Sequence, residues 1–192
     1  MKKILFLILL SGLFAVSLFG QSAYKLATYS NGYTWTKSNA QIGAALNEYF
    51  NESLSGDYQF TEAMIDDNDP SNLDSIAYLL ITATGTKGNG CITFGITLKK
   101  VFSETIDGAI DYEIKDTAAL RLASGLEEIG WKCTSTSTQC GGCVKIRQNG
   151  VVVACHCYAN TSTYCNFETT GGGGTNLPSW IIQLVIALIG LF

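Results

Sequence analysis

Histidine occurs once in this chain, at His156, and basic residues are outnumbered, 12 lysines and arginines against 16 aspartates and glutamates. A Ser-His-Asp site would have to use His156, which sits between Cys155 and Cys157 far from any serine signature. There is no nucleophile elbow and no zinc-protease helix. The formal charge of −4 argues against general nucleic-acid binding, which needs a basic surface. Gly85-x-x-Gly88-x-Gly90 with Lys87 lacks the Gly-Lys-Ser/Thr ending and following helix of a phosphate loop, and reads as a hairpin turn. Asp66-Asp67-Asn68-Asp69-Pro70 lacks the glycine and closing glutamate of an EF-hand. It reads as a solvated acidic turn, with weak calcium binding as the minor alternative. No internal repeat is present.

The two ends are apolar. Lys2-Lys3 followed by Ile4–Leu10 and then smaller residues has the layout of a secretory signal, with Ala15-Val16-Ser17 and Gly20 as cleavage sites. No cysteine lies near either site, so a lipoprotein is not indicated. Loss of Lys2 and Lys3 would take the charge from −4 to −6. Residues 168–179 form a glycine-rich linker that contains Gly171–Gly174, and residues 180–192 form an apolar tail. A helix of that length spans about 20 Å, short of the roughly 30 Å hydrocarbon core. Small residues, a polar spacer and an uncharged apolar end match a GPI-attachment signal; a bacterial sorting tail would normally end in basic residues. The alternative is a buried C-terminal helix, against which the glycine linker argues.

Between the ends the pattern is mixed. Tyr24–Tyr29 and Tyr33–Thr36 flank the turn signal Asn31-Gly32 and read as a hairpin. Ser38-x-x-Gln41 is a capping box, and Ile42, Ala45, Leu46, Tyr49 and Phe50 continue it as one helical stripe, ended by Ser55-Gly56. Strands are expected at Tyr58–Ile65, Ser75–Thr84, Cys91–Phe102 and Ile110–Ile114, and a second helix at Thr117–Ile129. The short glycine turn makes the second and third of these strands antiparallel. The fold class is therefore α+β: an antiparallel sheet with one or two packed helices, then a small disulfide-rich β-hairpin module. Boundaries fall at 1–20 for the signal, 21–130 for the α+β domain, 131–167 for the cysteine-rich module, 168–179 for the linker and 180–192 for the tail.

Six of the seven cysteines, Cys133, Cys140, Cys143, Cys155, Cys157 and Cys165, lie in that module, which contains no acidic residue between Trp131 and Asn166. With an export signal they are disulfide candidates. Asn149-Gly150 centres a hairpin in which Ile146 faces Val153 and Val144 faces Cys155. Alternation then puts Val144, Ile146, Val151, Val153, Cys155 and Cys157 inward. Lys145, Arg147, Val152 and His156 share the outer face with Cys143, which disfavours a Cys143–Cys155 bridge unless Gly141-Gly142 bulges. Zinc at Cys140-x2-Cys143 and Cys155-His156-Cys157, and redox catalysis at Cys140-Gly-Gly-Cys143, are weaker alternatives. Cys91 stands apart as a buried thiol. No metal or cofactor is assigned.

The expected function is an exported, surface- or membrane-attached, non-enzymatic interaction protein. Its partner would be an unknown protein or glycan, its contact face Lys145, Arg147, Val152 and His156, and its place extracellular, on the cell surface or periplasmic. A hydrolase would need a cleft joining two or more of Glu62, Asp66, Glu104 and Asp111. An inhibitor or toxin-like module is a third reading. Asn51-Glu-Ser53 and Asn160-Thr-Ser162 are sequons.

Overall fold

The computed structural model describes residues 24–54, 57–86, 90–115, 130–137, 139–140, 142–148, 151–158, 165–170 and 177–192. The signal segment, Ser55-Gly56, the Thr117–Ile129 helix, Asn149-Gly150, the Asn160 sequon and Gly171–Gly174 lie outside these residues. In chain order the elements are β1 (Lys25–Tyr29), β2 (Tyr33–Trp35), α1 (Asn39–Ser53), β3 (Tyr58–Asp67), β4 (Ala77–Gly85), β5 (Cys91–Phe102) and β6 (Ile110–Ile114). They continue with β7 (Gly130–Ser135), β8 (Cys143–Gln148), β9 (Val151–Cys157), β10 (Asn166–Thr169) and α2 (Ser179–Ile189).

Local chemistry accounts for the first elements. Asn31 takes φ 65°, the left-handed conformation that Asn tolerates best among residues with a side chain, and this closes the β1–β2 hairpin. The capping box forms: the Gln41 backbone N–H donates to Ser38 Oγ, and the Ser38 N–H donates to Gln41 Oε1 at 2.9 Å. The stripe behind it buries Ile42, Leu46, Tyr49 and Phe50.

Eight strands make one antiparallel sheet organised on β5. One edge of β5 pairs with β4 from Cys91 to Leu98, and β3 follows β4. The other edge is shared. Its first half, Cys91–Ile96, pairs with β7 and then β10; its second half, Leu98–Phe102, pairs with β6, then β1 and β2. The sheet forks there because β5, with 12 residues, is at least twice the length of β6 or β7. The 131–167 stretch is consequently divided: β7 and β10 are strands of the main sheet, while β8 and β9 form a separate two-stranded sheet.

Alternation gives the main sheet two different faces. Ala77, Leu79, Ile81 and Ala83 of β4, with Ile92, Phe94, Ile96 and Leu98 of β5, join the large core under the helices. Tyr78 and Cys91 turn the other way, with Trp131 and Cys133 of β7, toward the β8–β9 hairpin. Gly95 lies opposite Trp131 in the ladder, and a Cβ built on Gly95 would come within 2.2 Å of the indole. Glycine is required there by close approach of the ring.

The apolar tail is inside. α2 lies beside α1, with Ile181, Leu184, Val185 and Leu188 fully buried in the main core. The Trp180 ring packs on Phe94 at 5.6 Å between centroids, and Tyr49 Oη donates to the Trp180 carbonyl. The sequence reading favoured an attachment tail over this arrangement. Four aliphatic side chains that recur on one side of a helix find a cognate apolar surface on α1 and the sheet, and the linker does not prevent their docking. Among the described residues no helix is long and apolar enough to cross a membrane.

Each buried aliphatic side chain contributes about 1.5–3 kcal/mol, and domains are stable by only about 5–15 kcal/mol. A chain ending before Leu177 is therefore expected to lose its cooperative thermal transition. A dispensable attachment signal would leave that transition in place, and circular dichroism melting distinguishes the two.

Candidate functional site: the sulfur layer and a polar cleft

The β8–β9 hairpin follows the expected register for two pairs and then departs from it. Gln148 faces Val151 and Arg147 faces Val152, but Ile146 faces Ala154, so Val153 is an extra, bulged residue. The shift carries on to the end: Lys145 faces Cys155, Val144 faces His156, and Cys143 faces Cys157. A one-residue slip exchanges the faces of every later side chain. Val152 is buried at 3 % exposure and Val153 is exposed at 43 %. Lys145, Arg147 and Val152, expected on the outer face, thus lie on the covered one with Cys143, Cys155 and Cys157. His156 is on the other side, its Nδ1 2.9 Å from the Cys157 carbonyl oxygen.

The covered face explains the slip. Asp66 of β3 and Tyr78 of β4 are opposite each other in the main sheet, below the hairpin. The Asp66 carboxylate pairs with both Lys145 and Arg147, the latter at 2.5 Å, and the Arg147 guanidinium lies 5.3 Å from the Tyr78 ring centre. A carboxylate and an aromatic face are a ready seat for a guanidinium. One carboxylate serves two cations in a partly buried place. Burial, and then the charge of Arg147, push the Lys145 ammonium down to about 8.

Disulfides join Cys133 to Cys155 and Cys140 to Cys157. The first ties β9 to β7; the second ties it to the loop before β8. Cys143 and Cys155 are not joined, although the bulge puts them on the same face. Cys91, Cys143 and Cys165 are buried thiols, so two of the six disulfide candidates are unbridged. Cys91 does not stand apart: its sulfur is 3.2 Å from that of Cys143 and 3.3 Å from that of Cys140. The Cys143 thiol, donating to Cys91, holds the latter below its usual range. That same bond, then burial, raises Cys143. Two groups of three sulfurs lie within 4.8 Å of one another, Cys91–Cys140–Cys143 and Cys140–Cys157–Cys165. Both contain Cys140, whose sulfur is already bonded to Cys157. Sequence spacing cannot bring Cys91 here; the ladder does, by setting Cys91 opposite Ser135 at the end of β7.

The acidic turn after β3 has its own cation. Lys100 Nζ reaches Asp67 Oδ2 at 2.5 Å, and donates to the Asp69 and Asn72 carbonyls and to Ser75 Oγ. Both charged side chains are almost wholly buried. Burial would raise the Asp67 carboxyl, but hydrogen bonds from Lys100, the Asp69 N–H, Tyr112 and Ser75 outweigh it and hold it below the usual carboxylate range. The turn is thus organised around an ammonium, not left to solvent. Of the carboxylates weighed for hydrolysis, Asp66 belongs to the hairpin pairs and Asp111 accepts from Thr28 and pairs with Lys25. Glu62 and Glu104 are exposed.

On the helix side of the sheet, at the β7–β10 end, lies a cleft of about 470 Å³. Tyr58, Lys132, Thr134, Ser137, Asn166 and Glu168 contribute to its wall. Lys132 and Glu168 pair at 3.0 Å, and the Lys132 ammonium lies 5.4 Å from the Trp180 ring centre. Sequence reasoning missed the cleft. Its one local sign was the alternation Trp131-Lys132-Cys133-Thr134, apolar and polar by turns. Comparison with known proteins finds no matching family, no matching characterised protein and no matching solved structure.

Asp66→Asn takes the carboxylate from two partly buried cations and is expected to cost about 1–3 kcal/mol in denaturant unfolding, below the loss for a fully buried pair. Lys145→Met leaves a one-to-one Arg147–Asp66 pair and should match or exceed the wild type at pH 7. Its advantage should shrink between pH 8 and 10.5, where the native lysine has lost its proton and the unfolded one has not. A gap that widens with pH contradicts the assignment.

Proposed function

We propose that this chain is an exported, disulfide-stabilised binding module whose recognition site is the polar cleft, and that the ligand is a glycan. The disulfides support an extracellular or periplasmic setting. The cleft carries the reading: hydroxyl, amide, ammonium and carboxylate groups stand beside the Tyr58 ring in one concavity. Hydroxyls and amides both donate and accept, as a polyol does, and an aromatic face suits the C–H side of a sugar ring. The carboxylate of the cleft, Glu168, is paired with Lys132, which suits it to orienting a ligand rather than to proton transfer. Lys145 and Arg147 are committed to Asp66 and are not offered as the contact surface.

An oligosaccharide array followed by titration calorimetry tests this. A neutral hydrogen bond contributes about 1 kcal/mol, so Asn166→Ala and Thr134→Val are each expected to weaken binding about fivefold with unchanged melting temperature. Binding indifferent to both substitutions, or no glycan bound, would sink the reading.

A further inference from the structure

We propose that Cys91 and Cys143 form a third disulfide in the exported protein, leaving Cys165 as its single thiol. The argument is geometric and independent of what the cleft binds. The two sulfurs are 3.2 Å apart, both side chains are buried, and the Cys143 carbonyl lies within 3.4 Å of Thr93 Oγ1, two residues along β5 from Cys91. The start of β8 therefore rests on the start of β5.

The neighbours narrow the choice. Cys91 Sγ contacts the sulfurs of Cys140 and Cys143, and Cys140 is bonded to Cys157. Cys143 is the partner that remains. Joining Cys143 to Cys165 instead would leave a Cys91 thiol 3.3 Å from the Cys140 sulfur of the Cys140–Cys157 bond. A Cys91–Cys143 bridge removes that close thiol and leaves Cys165, whose sulfur lies within 4.8 Å of those of Cys140 and Cys157.

The chemistry balances with an external disulfide as oxidant, either a low-molecular-weight disulfide or the active-site disulfide of a thiol oxidoreductase. The thiolate of Cys143 first attacks that disulfide before the hairpin closes, forming a mixed disulfide and releasing one thiol of the oxidant. The Cys91 thiolate then attacks Cys143 Sγ. The new S–S bond forms, the mixed bond breaks, and the second oxidant sulfur leaves and takes up a proton. Two protein thiols are oxidised and one external disulfide is reduced to two thiols.

The consequence is mechanical. The existing bridges attach β9 to β7 and to the loop before β8, over sequence separations of 22 and 17 residues. The third would attach β8 directly to the central strand across 52 residues. It closes the longest loop and restricts the unfolded chain most.

The test uses the full chain secreted through an oxidising compartment and purified without reductant. It is quenched in acid, unfolded in guanidinium with N-ethylmaleimide, digested and read by mass spectrometry. The expected result is one labelled cysteine, Cys165, and a linked peptide pair holding Cys91 and Cys143. Three labelled cysteines overturn the proposal, as does a Cys143–Cys165 pair, or thiols that become reactive only after a chelator strips a metal. In Cys165→Ser no label is expected; two labels there would overturn it equally. The wild-type measurement stands should that variant fail to fold.

Discussion

The structure depends on β5 having two unlike faces. On the helix side it presents Ile92, Phe94, Ile96 and Leu98, a continuous large apolar surface. On the hairpin side it presents Cys91, Thr93, Gly95 and Thr97, none of them bulky. The two layers built on the sheet answer to that difference. Two helices with broad apolar stripes cover the first face. The second is too shallow for a helix-sized side-chain layer, and is filled by one indole lying against Gly95 and by sulfur.

A small core on one side changes what must hold the hairpin. Among its residues whose burial is described, Val152 is the fully covered aliphatic one; the others covered are cysteines and the stems of Lys145 and Arg147. Burial of apolar area contributes little there, so covalent bonds and the Asp66 and Tyr78 seat supply the attachment. Asp57–Asp74 carries six acids and no lysine or arginine, and residues 131–166 carry Lys132, Lys145 and Arg147 and no acid; through Asp66 this opposition becomes an internal contact between β3 and β8 rather than an outward face.

Much of this was legible, and the failures share a cause. The capping box, the α1 stripe, the Asn31-Gly32 turn and the bounds of β5 and β6 depend on neighbouring residues, and they could be read from neighbours. The hairpin register also began correctly at Gln148 and Arg147. It failed at Val153 because the bulge answers to Asp66, Tyr78, Cys133 and Cys140, none of which lies on the hairpin strands. Cys91 seemed solitary for the same reason: its partners come from elements around fifty residues away. The docking of the tail could not be read from composition, since an apolar helix suits a core and a membrane alike until its neighbour is known. The cleft arises where β7, β10 and the start of β3 meet, and no local pattern encodes such a junction.

The buried Lys100 ammonium gives the acidic turn a property its composition would not suggest. Extracellular loops rich in Asp and Asn commonly take their shape from calcium, and then soften when it is withdrawn. Here a side chain of the protein's own sheet occupies the centre of the oxygen ring, bonded to Asp67 and to the carbonyls that would otherwise face a metal. The counter-ion is tethered, so it cannot be diluted, competed away or chelated. Withdrawal of calcium removes none of the contacts that Lys100 makes in the loop.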